Sequence, residues 1–176
     1  TLTSLRNQGK LKNVSFIAII FFAIAFRICL LPSTPTLSDD IYRYAWDGKA
    51  PAHGINPYSF VPLSPQLEHL RDEGFEKTSH KNTFTAYPPL AQIIFMLTRG
   101  VGSGVYPLKI VFVFFDLGTM VLLVLILKEL KINTLNIAIY AWNPLAIMEI
   151  AGSGHMDICA IFWIMLAVFL YLKRKG

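Results

Sequence analysis

Leu37–Pro62 reads LSDDIYRYAWDGKAPAHGINPYSFVP. It holds an adjacent carboxylate pair (Asp39, Asp40), a third acid (Asp47), two bases (Arg43, Lys49) and a cluster of aromatic rings. Ser38 and Asp39 predict the N-cap of a short helix over about 39–50. Tyr42, Ala45 and Trp46 recur at helical spacing, so this helix is amphipathic and is expected to lie on a membrane surface. Gly54, Asn56 and Pro57 then turn the chain. The stretch begins a few residues after an apolar run, Val14–Leu31, long enough to cross a bilayer. Polar, aromatic-rich sequence held at such a place points to chemistry at the lipid–water boundary.

The composition agrees with a membrane setting. The chain has 176 residues, of which 54% are hydrophobic and only 15% charged. A soluble domain carries roughly a quarter charged residues, so the expected class is an all-α membrane protein. The net charge of +5 raises the question of nucleic acid. Most of the basic excess, however, sits in short tracts beside apolar runs, as membrane orientation requires, and nucleic-acid binding is excluded as a reading. Cys29 and Cys159 lie inside apolar runs without disulfide or metal spacing, and are read as small core residues.

Outward from the opening stretch, four spans are expected: 14–31, 108–127, 135–150 and 158–172. The third is expected to kink or break at Trp142-Asn143-Pro144. The first span carries Arg27 near its end, and the second carries one acid, Asp116. Residues 32–106 form a long connection with eight prolines between 32 and 89. Gln66–Asn82 is its most polar part and is expected to be mobile. A second surface helix is expected over about 89–99, with Pro89 at its first turn. Its apolar run, Leu90–Leu97, is too short to span. The N-terminal tract, Lys128–Lys131 and the C-terminal tract together carry eight bases and one acid, Glu129. Residues 32–87 carry seven acids and five bases. The positive-inside rule therefore places both termini in the cytoplasm and the long connection outside, in a multi-pass protein of the cytoplasmic membrane.

Two polar clusters then share the outer face. Adjacent carboxylates separate in proton affinity, so Asp39 and Asp40 could serve as a base or as metal ligands. They equally suit a helix start, where Asp favours the dipole. Glu149, His155 and Asp157 flank a turn made by Gly152 and Gly154. Such a turn could bind a metal, hold a phosphate or hydrogen-bond within itself. If a divalent ion such as Mg or Mn is used, Asp39, Asp40, His155 and Asp157 are its candidate ligands. Arg27, Arg43 and Lys49 are candidates for a phosphate at the membrane surface, or interfacial anchors. Tyr42 and Trp46 could stack on sugar faces or join an aromatic belt. Asp116, deep in its helix, is read as pairing with another helix. The central expectation is geometric: the acid pair faces the histidine turn across a shared pocket.

The ordered set SDDIYRYAWDG, GINPY, YPPLAQ and WNPLAIMEIAGSGHMD resembles the GT-C superfamily of membrane glycosyltransferases, and most of all its bacterial mannosyltransferase-like members. The resemblance runs from about Phe16 to Leu172. It implies a polyprenyl-phosphate sugar donor, mannose as the sugar, and an acceptor glycan, lipid or protein. It also implies inverting displacement with Asp39 as general base and Asp40 as its partner. Arg27, Arg43, Lys49 and His155 become candidates for charge at the departing phosphate, and Asp157 for orienting His155 or holding the acceptor. Full members have more spanning helices, so the chain is expected to be a short or N-terminal-half version, with a second membrane subunit as a possible partner. Two rivals stand beside this reading. One is a non-catalytic subunit that binds a lipid-linked sugar or a partner. The other is a small solute transporter, which the gathering of polar groups at one face disfavours.

Overall fold

The computed structural model describes residues 2–175, with side chains from residue 12 onward. The side chains of Arg6 and Lys10, counted above in the basic N-terminal tract, lie outside the described residues. Among the described residues the chain is helical and has no strand.

Three long helices form the frame: α1 (Leu2–Leu30), α6 (Tyr106–Glu129) and α9 (Asp157–Lys175). Between α1 and α6 lie the short helices α2 (Asp40–Asp47), α3 (Lys49–Ala52) and α4 (Glu73–Glu76), then α5 (Pro89–Arg99). Between α6 and α9 lie the single turns α7 (Ala138–Ala141) and α8 (Pro144–Ile147).

Among the described residues two helical stretches, Lys12–Leu30 and Tyr106–Glu129, are long and apolar enough to cross a membrane. Much of their apolar surface meets no other part of the protein: Val14, Ile17, Phe21 and Phe114 are each more than 60% exposed. This is two such helices, where four were expected. Residues 135–150 do not form one helix. A 3-10 turn (Thr134–Ile137), α7, α8 and a π turn (Met148–Ser153) follow one another instead. The break falls at Trp142-Asn143, as the sequence predicts. Pro144 cannot donate to the preceding turn, and the Asn143 side chain accepts the Leu145 amide at 2.9 Å, starting a new helix. Residues 158–172 do lie in one helix, α9. Its apolar run is closed by Asp157 at one end and by Lys173, Arg174 and Lys175 at the other. That run is about 22 Å long at the usual rise, against a hydrocarbon core of about 30 Å.

The helix expected over about 39–50 is divided at Gly48 into α2 and α3. A Cβ at Gly48 would lie 2.4 Å from the Phe95 carbonyl oxygen, so glycine lets α5 cross there. α5 begins at Pro89, as expected. The main core joins Ile41, Tyr44 and Ala45 of α2, Ala91 and Phe95 of α5, Leu108 and Phe112 of α6, and Ile150, Ala151, Ile158 and Cys159. The connection is therefore docked on the end where α6 and α9 begin. Cys159 is buried as expected, whereas Cys29 is exposed on α1. The polar segment 66–82, expected to be mobile, is tied to α2 instead. Leu67, Leu70 and Phe75 bury Trp46, and Arg43 donates to the carbonyls of His80 (2.7 Å) and Thr83 (3.0 Å).

Candidate active site

The acid pair opens α2. The Ser38 hydroxyl takes the Asp40 amide at 3.1 Å, while the Asp39 side chain makes no capping bond. Asp39 is exposed and Asp40 half-buried. Among the described residues neither carboxylate accepts a hydrogen bond or forms a salt bridge. Two other acids of this region are paired: Asp47 holds Arg43 at 2.7 Å and Asp72 holds Lys49 at 2.5 Å.

The histidine turn is locked against the start of α2. Gly154 sits at φ +78°, in the left-handed region, and a Cβ there would lie 2.3 Å from Ile41 Cδ1 and 3.2 Å from Lys109 Cγ. Glycine is required twice over, by backbone conformation and by the close approach of Ile41. The Ile41 contact brings the turn beside the residue that follows Asp40. The His155 amide donates to the Glu149 carbonyl at 3.0 Å. Its ring stands between two acids, with Nε2 3.2 Å from Glu149 and Nδ1 3.9 Å from Asp157. Nε2 is buried and makes no well-aligned hydrogen bond.

Tyr44 links the two clusters electrostatically. Burial pushes its hydroxyl well above the ordinary tyrosine range, and Tyr87, Asp40 and Asp157 push it the same way. Tyr87, whose ring meets Tyr44 edge-on at 4.9 Å, is raised by burial and then by Asp40. Both phenols therefore stay protonated near neutral pH.

Other residues singled out in the sequence are placed elsewhere. Arg27, a candidate for the donor phosphate, is fully buried. It pairs with Asp116 and donates to the carbonyls of Ala23 (3.0 Å) and Ala141 (2.9 Å), and Tyr140 donates to Asp116 at 2.6 Å. Asp116 thus pairs with another helix, as expected, and Arg27's charge is already answered. Arg43 is buried against Asp47. Burial pushes the Asp47 carboxyl above its usual range although Arg43 pulls it down. Lys49, Tyr42 and Trp46 line a cavity of about 610 Å³. Asp39, Asp40, Glu149, His155 and Asp157 do not line that cavity. The expectation of a shared pocket is therefore corrected: that cavity and two smaller ones are lined by neither cluster, and the link between them is the packing of Ile41 on Gly154. Among the described residues no three His, Cys, Asp or Glu side chains are grouped as ligands of one ion.

The sequence reading passed over Lys109 and Arg99. Lys109 hides in the apolar run of α6, and its ammonium takes the carbonyls of Leu30 (3.2 Å) and Ser33 (2.7 Å) at the end of α1. Arg99 precedes Gly100-Val101-Gly102-Ser103-Gly104, a glycine-rich turn that could have drawn attention to it.

A family model described as Alpha-(1->6)-mannopyranosyltransferase, N-terminal domain (the MptA_B family) matches residues 3–176. The chain belongs to this family. It is thus the N-terminal domain of a mannosyltransferase of the kind the GT-C resemblance implied. Neither the curated proteins nor the solved structures give a match to the chain. In this mannosyltransferase domain the acid pair and the histidine turn are the strongest candidates for the site of transfer, because they bring unpartnered carboxylates and an imidazole to one end of the helices.

Proposed function

We propose that this domain transfers mannose from a polyprenyl-phosphate donor to an acceptor hydroxyl at the outer face of the cytoplasmic membrane. The acceptor is a glycan, lipid or protein. Asp39 accepts the proton of the acceptor hydroxyl. The freed oxygen attacks the anomeric carbon as the bond to phosphate breaks, the anomeric centre inverts, and polyprenyl phosphate departs. Asp40 keeps the local field negative and positions Asp39. His155, held between Glu149 and Asp157, is the candidate donor to the departing phosphate.

The observation that carries this reading is the pair of unpartnered carboxylates beside the histidine turn. A general base must present a free lone pair within hydrogen-bond reach of its hydroxyl. Asp47, Asp72 and Asp116 are each paired with a cation. A leaving phosphate needs a donor placed where its charge develops, which is what His155 offers. Basic tracts at both ends of the chain support cytoplasmic termini.

The test is transfer of radiolabel from polyprenyl-phosphate mannose to acceptor in membranes containing the chain, with and without chelator. Labelled acceptor is expected. A second reading, a donor-binding subunit without turnover, draws on the family model's description of an N-terminal domain. It predicts donor binding by the chain alone, and label transfer only when a second polypeptide is co-expressed.

A further inference from the structure

The cavity of about 610 Å³ lies against Tyr42, Ala45 and Trp46 of α2 and Lys49 of α3. It is closed by the residues that follow α1 (Leu31 to Pro35), by the α4 turn, by Arg99, and by Ser103 to Tyr106, which lead into α6. Four bases line it, Lys49, Lys77, Arg99 and Lys109, against two acids, Asp72 and Glu73. We propose that this cavity binds the phosphate group of an anionic membrane lipid, at a site separate from the acid pair.

The charges are unevenly spent. Lys49 is committed to Asp72, and Lys109 to the carbonyls that end α1. Among the described residues, Arg99 and Lys77 have no carboxylate within ion-pair distance; the Lys77 ammonium stands 5.6 Å over the Tyr42 ring. Burial disfavours the Lys49 ammonium, Asp72 opposes it, and the nearby Arg99 charge adds a smaller push in the same direction as burial. A bound anion would relieve the repulsion between these two cations.

The backbone adds to this field. The glycine-rich turn ends at Gly104, at φ +78°, and leads straight into the 24-residue helix α6. Apart from Pro107, which has no amide hydrogen, the amides of the first turn have no carbonyl to receive them within the helix, and the positive end of the dipole favours an anion there. The position selects a lipid as the source of the phosphate. The cavity is bounded by the last residues after α1 and the first of α6, the two helices long enough to cross a membrane. Leu31, Val105 and Ala45 supply apolar lining beside the cations. A headgroup phosphate at the interface would reach the cations while its acyl chains stay with the exposed faces of α1 and α6.

The full chain in phosphatidylcholine nanodiscs is titrated calorimetrically with short-chain phosphatidylglycerol, with short-chain phosphatidylcholine and with inorganic phosphate. Saturable binding of phosphatidylglycerol is expected, weakened at least tenfold in Arg99→Gln/Lys77→Gln and several-fold in Lys77→Gln alone, with helicity checked by circular dichroism. Lys77 is exposed, so the single variant keeps the test open if the double variant misfolds. Phosphatidylglycerol binding no tighter than phosphatidylcholine, or variants that bind like the parent, overturns the proposal. Binding of inorganic phosphate without binding of the lipid overturns the lipid assignment. Asp39→Asn is expected to bind as the parent does, so failure here leaves the transfer proposal standing.

Discussion

Replacing Gly154 by alanine tests whether the acid pair and the histidine turn are held in contact. The new methyl would lie 2.3 Å from Ile41 Cδ1, and the residue would occupy the left-handed region at φ +78°. The backbone contributes a cost of about 1–2 kcal/mol. Overpacking against Ile41 adds about 1–3 kcal/mol, for a loss of roughly 2–5 kcal/mol in all. Ile41→Val removes the offending Cδ1 and by itself costs about 0.5–1.5 kcal/mol. In the double variant the 2.3 Å clash is removed, while the tight contacts with Lys109 Cγ (3.2 Å) and Ile41 Cγ1 (3.3 Å) and the backbone cost stay. The two losses should therefore fall short of additivity by about 1–2 kcal/mol, well beyond the ~0.5 kcal/mol scatter of independent sites. Denaturant unfolding of the four proteins in detergent gives the cycle. Additive losses would refute the contact between α2 and the turn, and with it the means by which the two clusters are brought together.

Other expectations follow from the same geometry. Asp116→Ala leaves Arg27 buried and unanswered, and should cost about 3–5 kcal/mol; Arg27→Met/Asp116→Leu should cost clearly less, measured by unfolding in detergent. Gly118→Ala should cost about 1–3 kcal/mol in the same assay, because its Cβ would lie 2.8 Å from the Phe162 ring. Burial pushes Asp72 up, but Lys49 outweighs it and holds the carboxyl below its ordinary range. The stability it contributes is present above the ordinary carboxylate range and is lost as pH falls through that range to the lower folded value. Melting temperatures across that interval should fall less in Asp72→Asn than in the parent.

The frame was legible where one rule dominates. Long apolar runs announced α1 and α6, Pro89 placed the start of α5, and Asn143-Pro144 marked the break near Trp142. The third span was misread because apolar content was counted without asking whether one helix could carry it; the fourth does form one helix, α9, but not a long apolar one. Asn143 and Pro144 restart the chain within residues 135–150, and charges at both ends shorten the apolar run of α9. At the site, the acid pair and the histidine turn stood out as polar groups beside apolar helices. Their contact did not, because Ile41 on Gly154 is a packing event between residues more than a hundred positions apart. The partners of Arg27, Arg43 and Lys49 were equally hidden. A basic residue looks free in a sequence until the fold brings it a carboxylate, as Asp116, Asp47 and Asp72 do here.

The central claim is that Asp39 takes the acceptor's proton, and the most direct measurement is the transfer rate of Asp39→Asn at saturating donor and acceptor. The account predicts a fall of about 10²–10⁴-fold, with donor binding and unfolding stability close to those of the parent. A variant that transfers mannose within a few-fold of the parent rate would contradict it.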